Sequence, residues 1–294
     1  MPSFRIAYVG VGLMGLPMLK RLINLGYAVT AYDVLPRQNE AARAAGASIV
    51  NCPADTVRAA DVVLLNLPTT EAVDAAVFGE NGVAGAMQPP QLLVDFSTVK
   101  VDKGRALAAR LRETTGCGWV DAPVSGGPPA SASGTLTVMA GGDATDIARL
   151  APLMADVAAR CTHMGSSGSG LVAKMINQLL VGCTHAVLAE ALVLAEAAGI
   201  DAARLPECLA GGHADGTLLQ KLYPRMVARD FAPQGYSRQL LKDLEMLNQF
   251  AAELKAPLPM GGNALQLYRM LVHLGHAELD TAAVLKLYEP AAPK

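Results

Sequence analysis

The segment Gly10-Val11-Gly12-Leu13-Met14-Gly15 constrains this chain more than any other. It is a G-x-G-x-x-G string between a short apolar run, Arg5–Val9, and a helix-like stretch, Leu13–Leu25. Gly26 then stands where a helix ends. Ala28–Tyr32 reads as a second strand, and Asp33 closes it 18 residues after Gly15. Strand, glycine turn, helix, strand and acid in this order are the context a dinucleotide site requires. Gly10 permits the tight turn, Gly12 lets the backbone approach a pyrophosphate, and Gly15 lets the helix pack on the strand. The helix N-terminus favours the negative charge. Asp33 can accept hydrogen bonds from ribose hydroxyls and would repel a 2′-phosphate. NAD is therefore expected over NADP, although Arg37 close by is a residue type that accommodates that phosphate. The bland alternative is a glycine turn in a non-binding α/β domain, with Asp33 merely solvated.

Further apolar runs at Val62–Leu67 and Leu92–Phe96 continue the alternation, which predicts a parallel sheet with helices on both faces. Val120–Val124 and Leu136–Ala140 read as later strands of that sheet. After Gly165 the pattern changes. Leu171–Gly199 is a long stretch rich in Ala and Leu, which predicts a helix. Leu218–Met226, Arg238–Leu254, Gly262–Leu274 and Thr281–Tyr288 also read as helices, and no strand is expected beyond about residue 165. The expected organisation is an α/β domain over residues 1–165 and an all-α domain over 166–294.

Composition narrows the class of partner. The 294 residues include 24 basic and 26 acidic side chains, a net charge of −2, so the basic face of a nucleic-acid binder is not expected. Hydrophobic residues make up 52% and charged residues 17%, enough for a sizeable core and against disorder. No run is expected to reach the ~18 apolar residues of a membrane span. Met1–Gly10 lacks the features of a signal peptide. Five scattered cysteines without a C-x-x-C pair fit reduced thiols, which predicts a cytoplasmic protein.

Two further strings carry chemistry. In Asp121-Ala122-Pro123-Val124-Ser125-Gly126-Gly127 the Ser125 hydroxyl and the backbone N–H groups of Gly126 and Gly127 can hold a carboxylate, although alone the string reads as a β-turn. Gly165-Ser166-Ser167-Gly168-Ser169-Gly170 reads as a flexible turn before the long helix. Beyond it Lys174, Asn177 and Gln178 fall at i, i+3 and i+4, on one helical face. A lysine in a partly dry cleft favours its neutral form, which suits proton transfer; the alternative is a lysine that snorkels to water. Arg238, Lys242 and Asp243 form a third polar set, read either as an approach to cofactor or substrate anion or as a solvated face. Phe231 and Tyr236 could cover a nicotinamide or staple the helix that follows. His273 and His276 lack the carboxylates of a zinc site, so no metal is expected and all five histidines read as structural or surface residues.

Taken together, these strings resemble the β-hydroxyacid dehydrogenases, the family of 3-hydroxyisobutyrate dehydrogenase and tartronate semialdehyde reductase. The resemblance runs over nearly the whole chain: Gly10–Met18 at the cofactor turn, Phe96-Ser97-Thr98 near the nicotinamide, Asp121–Gly127 with Gly134-Thr135-Leu136 at the substrate, Gly168–Gln178 around a lysine, and Lys242-Asp243-Leu244. It implies a Rossmann-type domain and an all-α domain joined by a long helix, and a homodimer or homotetramer. It implies Lys174 as the acid/base, Ser125, Gly126 and Gly127 on the substrate carboxylate, and Asn177 orienting the substrate, with Gln178 also among the substrate-binding residues. It also implies Leu67, Pro68 and Thr98 along the cofactor, with Lys242 reaching cofactor or substrate. Gln178 after Asn177 looks more like the branch acting on tartronate semialdehyde or threonate than like the isobutyrate enzymes. The expected activity is reversible hydride transfer between NAD and the 3-hydroxyl of a small acid. Rivals of related architecture are 6-phosphogluconate dehydrogenase, imine reductases and a non-catalytic NAD-binding module.

Overall fold

The computed structural model describes residues 4–289. The elements run β1 (Ile6–Val9), α1 (Gly15–Asn24), β2 (Val29–Tyr32), α2 (Pro36–Ala44), β3 (Ser48–Ile49), α3 (Pro53–Val57), β4 (Val62–Leu65) and α4 (Thr70–Phe78). They continue with β5 (Leu92–Asp95), α5 (Val101–Thr115), β6 (Gly118–Asp121), β7 (Val124–Ser125), α6 (Gly127–Ser133), β8 (Leu136–Gly141), α7 (Ala144–Val157) and β9 (Ala158–Gly165). After the long α8 (Ser169–Ala197) come α9 (Leu205–Leu209), α10 (Thr217–Lys221), α11 (Tyr223–Val227), α12 (Ser237–Glu253), α13 (Pro259–His273) and a 3₁₀ helix at Thr281–Leu287. The chain folds as two compact units, Met1–Lys174 and Met175–Lys294, which divide inside α8.

In the first unit, strands β1 to β6 are parallel in the order β3-β2-β1-β4-β5-β6. This is the doubly wound order, in which the chain reverses direction of travel between β1 and β4 and opens a crevice at their carboxyl ends. β1, β4, β5 and β6 are buried along their whole length; β1 and β4 appear in sequence as unbroken apolar runs, and β5 and β6 each end on a buried aspartate, Asp95 and Asp121. Helix α1 starts at Gly15, so Pro17 lies in its first turn, where its missing N–H costs nothing. Gly26, with φ +90°, follows the C-cap Leu25 and turns the chain toward β2.

Two sequence expectations need correction here, and one strand was missed. The sheet is not wholly parallel: β8 runs antiparallel to β6 and β7. The expected strand Val120–Val124 is two strands, interrupted at Ala122-Pro123, because Pro123 has no N–H for a ladder. A further strand, β9, pairs parallel to β8. Its side chains are mostly exposed, so it carried no alternation of burial for a pattern to reveal.

In the second unit, α12 and α13 pack against each other and α12 packs on α8, where a Cβ at Gly182 would stand 3.0 Å from Leu244 Cδ2. The expected helix Leu218–Met226 is two short helices, α10 and α11, because Pro224 restarts the backbone in the first turn of α11. Thr281–Leu287 is 3₁₀, not α. The expectation about membrane spans also changes. α8 is long and apolar enough to cross a membrane by length and composition alone. It nonetheless carries the buried polar side chains Lys174, Gln178 and His185, each hydrogen-bonded within the protein, as a core helix does.

Candidate active site

The glycine turn sits at the carboxyl end of β1, between β2 and β4. Gly10 has φ +91°, and a Cβ there would lie 2.5 Å from the Asn66 carbonyl oxygen and 2.8 Å from Leu67 Cδ2. A Cβ on Gly15 would overlap the Gly10 carbonyl oxygen. Gly12 is different: a Cβ there meets nothing within 4 Å. Gly10 and Gly15 are thus required by the protein's own packing, whereas Gly12 opens onto space. That is the cradle a pyrophosphate needs, with Leu13 and Met14 half-buried beside it. Asp33 Oδ2 accepts from the Val11 amide at 2.8 Å and Oδ1 from the Leu35 amide at 2.9 Å. The carboxylate is therefore held at the edge of the turn. These residues fit a bound dinucleotide.

The neighbouring strand ends complete the crevice. Leu67, half-buried, donates its amide to Ser97 Oγ at 2.9 Å, and the Ser97 amide donates to the buried Asp95 at 2.9 Å. Thr98 is half-buried and Pro68 exposed. Ser131, fully buried on α6, donates to the Met14 carbonyl at 2.9 Å and ties α6 to the glycine turn. Sequence reasoning passed over Ser131, because its partner lies 117 residues away.

The second string and the lysine come together in the same unit. Lys174 is 8% exposed, and its Nζ donates to the Val124 carbonyl at 2.8 Å, one residue before Ser125. Ser125 is half-buried, and Gly126 and Gly127 adopt φ +129° and +70°, so both glycines are required by the backbone. The Gly165–Gly170 turn, expected to be flexible, is pinned. Asp121 at the end of β6 accepts from the Gly168 amide at 2.7 Å and the Leu171 amide at 3.1 Å. Burial pushes the Asp121 carboxyl above the usual range, and the amide donors pull it the other way. A Cβ on Gly170 would overlap the Met139 carbonyl oxygen, so the turn lets α8 start hard against the sheet. Asp121 thus sets the start of the helix that carries Lys174.

In the second unit, Asn177 is half-buried and Gln178 buried. Asn177 Nδ2 donates to Gln178 Oε1 at 2.8 Å, and Gln178 Nε2 donates to Asp243 Oδ2 at 2.6 Å. Lys242 Nζ lies 3.2 Å from Asp243 Oδ1. Arg238 pairs with Glu278 at 2.6 Å and stands over the Tyr236 ring, the bland reading for that residue. Phe231 is half-buried, with Lys286 Nζ 5.4 Å from its ring centroid. His185 is buried, with Nδ1 3.2 Å from Tyr268 Oη. Among the described residues no three His, Cys, Asp or Glu side chains stand together as a metal site.

A doubly wound sheet with this glycine turn and acid defines a dinucleotide-binding domain. Residues 5–165 match the model of the NAD-binding domain of 6-phosphogluconate dehydrogenase. Residues 168–288 match that described as NAD-binding of NADP-dependent 3-hydroxyisobutyrate dehydrogenase. The chain is 34% identical to the NAD-dependent L-serine dehydrogenase of Pseudomonas aeruginosa, over 97% of this chain and 98% of that one. It is 33% identical to the L-threonate dehydrogenase of Cupriavidus necator, over 97% of this chain and 96% of that one. Among solved structures it superposes on Mycobacterium tuberculosis 3-hydroxyisobutyrate dehydrogenase with L-serine at a TM-score of 0.86 and 30% identity, covering 98% and 100% of the two chains. The chain belongs to the β-hydroxyacid dehydrogenases of the 3-hydroxyisobutyrate dehydrogenase type. It is an NAD-binding oxidoreductase acting on CH–OH groups.

Proposed function

We propose that the chain interconverts a small 3-hydroxy acid and its 3-oxo counterpart, with Lys174 as the acid/base. The observation that carries this reading is the 2.8 Å hydrogen bond from Lys174 Nζ to the Val124 carbonyl. It sets the one buried lysine of the described residues beside the Ser125–Gly127 turn. Ser125 and the amides of Gly126 and Gly127 hold the substrate carboxylate, and Asn177, three residues beyond Lys174 on α8, orients the substrate, with Gln178 behind it.

The cofactor supplies the hydride acceptor as NAD and the hydride donor as NADH. The protein's part is positioning and proton transfer. In oxidation the neutral Lys174 amine takes the proton of the 3-hydroxyl as the C3–H bond gives up its hydrogen with the electron pair, leaving a C3 carbonyl. In reduction the Lys174 ammonium returns that proton to the forming alkoxide. Gly10, Gly12, Leu13, Met14, Gly15 and Asp33 hold the adenosine and pyrophosphate side of the cofactor. Leu67, Pro68, Thr98, Phe231 and Lys242 serve its nicotinamide side. In this reading residues 1–165 bind the cofactor and residues 166–294 complete the substrate site and the assembly.

The assembly is a homodimer or homotetramer built through the helical unit. Ile176, Leu180, Val187 and Leu194 on α8 are 55%, 63%, 51% and 71% exposed. Their spacing of four and seven residues puts them in one stripe, and an apolar stripe of that kind needs a cover. All five cysteines are free, which supports a reducing, cytoplasmic setting. The activity is tested by NADH absorbance with glycerate, 3-hydroxyisobutyrate, threonate and L-serine. Turnover of at least one is the expected result; NAD binding without turnover of any contradicts the reading and favours a binding module.

A further inference from the structure

Four side chains of the second unit form one polar chain. Asn177 Nδ2 donates to Gln178 Oε1 at 2.8 Å, and Gln178 Nε2 donates to Asp243 Oδ2 at 2.6 Å. The other carboxylate oxygen, Oδ1, is buried and makes no hydrogen bond of good geometry, but the Lys242 ammonium stands 3.2 Å from it. The two middle members are buried and the two end members, Asn177 and Lys242, are half-buried.

The direction of this chain is dictated from one end. A side-chain amide can be turned either way, and its neighbours decide which. A carboxylate only accepts. Asp243, with Lys242 as its counter-charge, therefore obliges Gln178 to turn its NH₂ toward it. Gln178 then has only its carbonyl for Asn177, and Asn177 must answer with its NH₂. The group that Asn177 directs away from Gln178 is its carbonyl oxygen, an acceptor. Turning Asn177 over would set two carbonyls against each other. Turning Gln178 over would set a carbonyl against a buried carboxylate.

We propose that Gln178 and Asp243 are positioning residues that make Asn177 present an acceptor to the substrate. They thereby select 3-hydroxy acids with a hydrogen-bond donor beside the reacting carbon, an ammonium or a second hydroxyl, over those with a methyl group there. The inference rests on the placement of Asn177 at the substrate in the preceding section. In this scheme neither Gln178 nor Asp243 touches the substrate; both act through Asn177. An acceptor facing an ammonium or hydroxyl gains a bond, and the same acceptor facing a methyl group loses its water for nothing.

The test is kcat/KM for L-serine and for 3-hydroxyisobutyrate, with saturating NAD, in the wild type, Gln178→Met and Asp243→Asn. Gln178→Met keeps the side-chain length, removes both amide groups and leaves the Lys242–Asp243 pair in place. Asp243→Asn can donate as well as accept, so it no longer imposes a direction. The wild type is expected to favour L-serine. Gln178→Met should lower the serine-to-hydroxyisobutyrate ratio about tenfold, mostly through KM for serine, and Asp243→Asn should move it the same way. An equal loss on both acids in a folded variant is what a merely structural role gives, and it overturns the proposal. So does an unchanged ratio, or a wild type that favours 3-hydroxyisobutyrate. If Gln178→Met does not fold, the ratio in Asp243→Asn decides. A folded, NAD-binding wild type that turns over no hydroxy acid sinks the proposed function itself, and the selection falls with it.

Discussion

The Val11 amide donates to Asp33 Oδ2 at 2.8 Å, so the acid at the end of β2 is fastened to the glycine turn at the end of β1. The bond fixes where a negative charge stands relative to the adenosine ribose. Ribose hydroxyls can donate to it, whereas a 2′-phosphate would meet like charge. The expected outcome is a higher kcat/KM with NAD than with NADP, and a fall in that ratio of about tenfold or more in Asp33→Ala. Steady-state kinetics with both cofactors checks it; equal use of the two by the wild type would contradict it.

Gly12 and Gly15 should fail differently when each becomes alanine. A Cβ at Gly12 meets nothing within 4 Å, but one at Gly15 overlaps the Gly10 carbonyl oxygen. Gly12→Ala is expected to keep the wild-type melting temperature within about 2 °C and to raise KM for NAD. Gly15→Ala should lose about 1–3 kcal/mol of stability from overpacking. Thermal melts with and without NAD separate the two, and equal destabilisation by both would contradict the assignment of Gly12 to the cofactor.

His185 makes stability depend on pH. Burial pushes its imidazole down to about 4, against a weaker opposing pull from Asp280. Tyr268 donates its hydroxyl proton to the Thr281 carbonyl at 2.8 Å, so the neutral ring donates from Nδ1 to Tyr268. The unfolded chain binds a proton at this histidine near pH 6.5 and the folded chain refuses it until about 4. The contribution is therefore complete above 6.5 and is lost as pH falls from there toward 4, by about 3 kcal/mol in all. Denaturant unfolding at several pH values should show a shallower acid loss in His185→Gln than in the wild type. Parallel pH dependences would contradict the account.

The stripe of Ile176, Leu180, Val187 and Leu194 predicts an assembly that charge can break. Light scattering should find a dimer or tetramer at micromolar concentration, and Leu180→Glu with Leu194→Glu should shift it toward monomer. A monomeric wild type contradicts the proposal.

What the sequence revealed and what it hid follow from the range of the interactions. Gly10 to Gly15 and Asp33 were legible because the fingerprint is compressed into one strand-helix-strand unit. Lys174, Asn177 and Gln178 were legible because helical spacing places them from their numbers alone. Asp121 was visible only as part of a string. Its grip on the Gly168 amide spans 47 residues, and no local pattern announces it. β9 escaped because its side chains are exposed, whereas the break between α10 and α11 was legible in Pro224 and was passed over. The polar face of α8 was legible, but that the folded chain buries it and leaves the stripe of Ile176, Leu180, Val187 and Leu194 exposed was not.

The most direct test of the mechanism is the rate of Lys174→Ala with the best hydroxy acid and NAD. The side chain is buried and tethered to Val124, so its removal takes away the proton acceptor while the glycine turn stays intact. General acid–base catalysis is worth about 10²–10⁴-fold, and kcat should fall by about that factor with NAD affinity nearly unchanged. Lys174→Arg should not restore it, because a guanidinium stays protonated. A folded Lys174→Ala enzyme with near-normal kcat would contradict the account and leave that lysine as a structural anchor of α8.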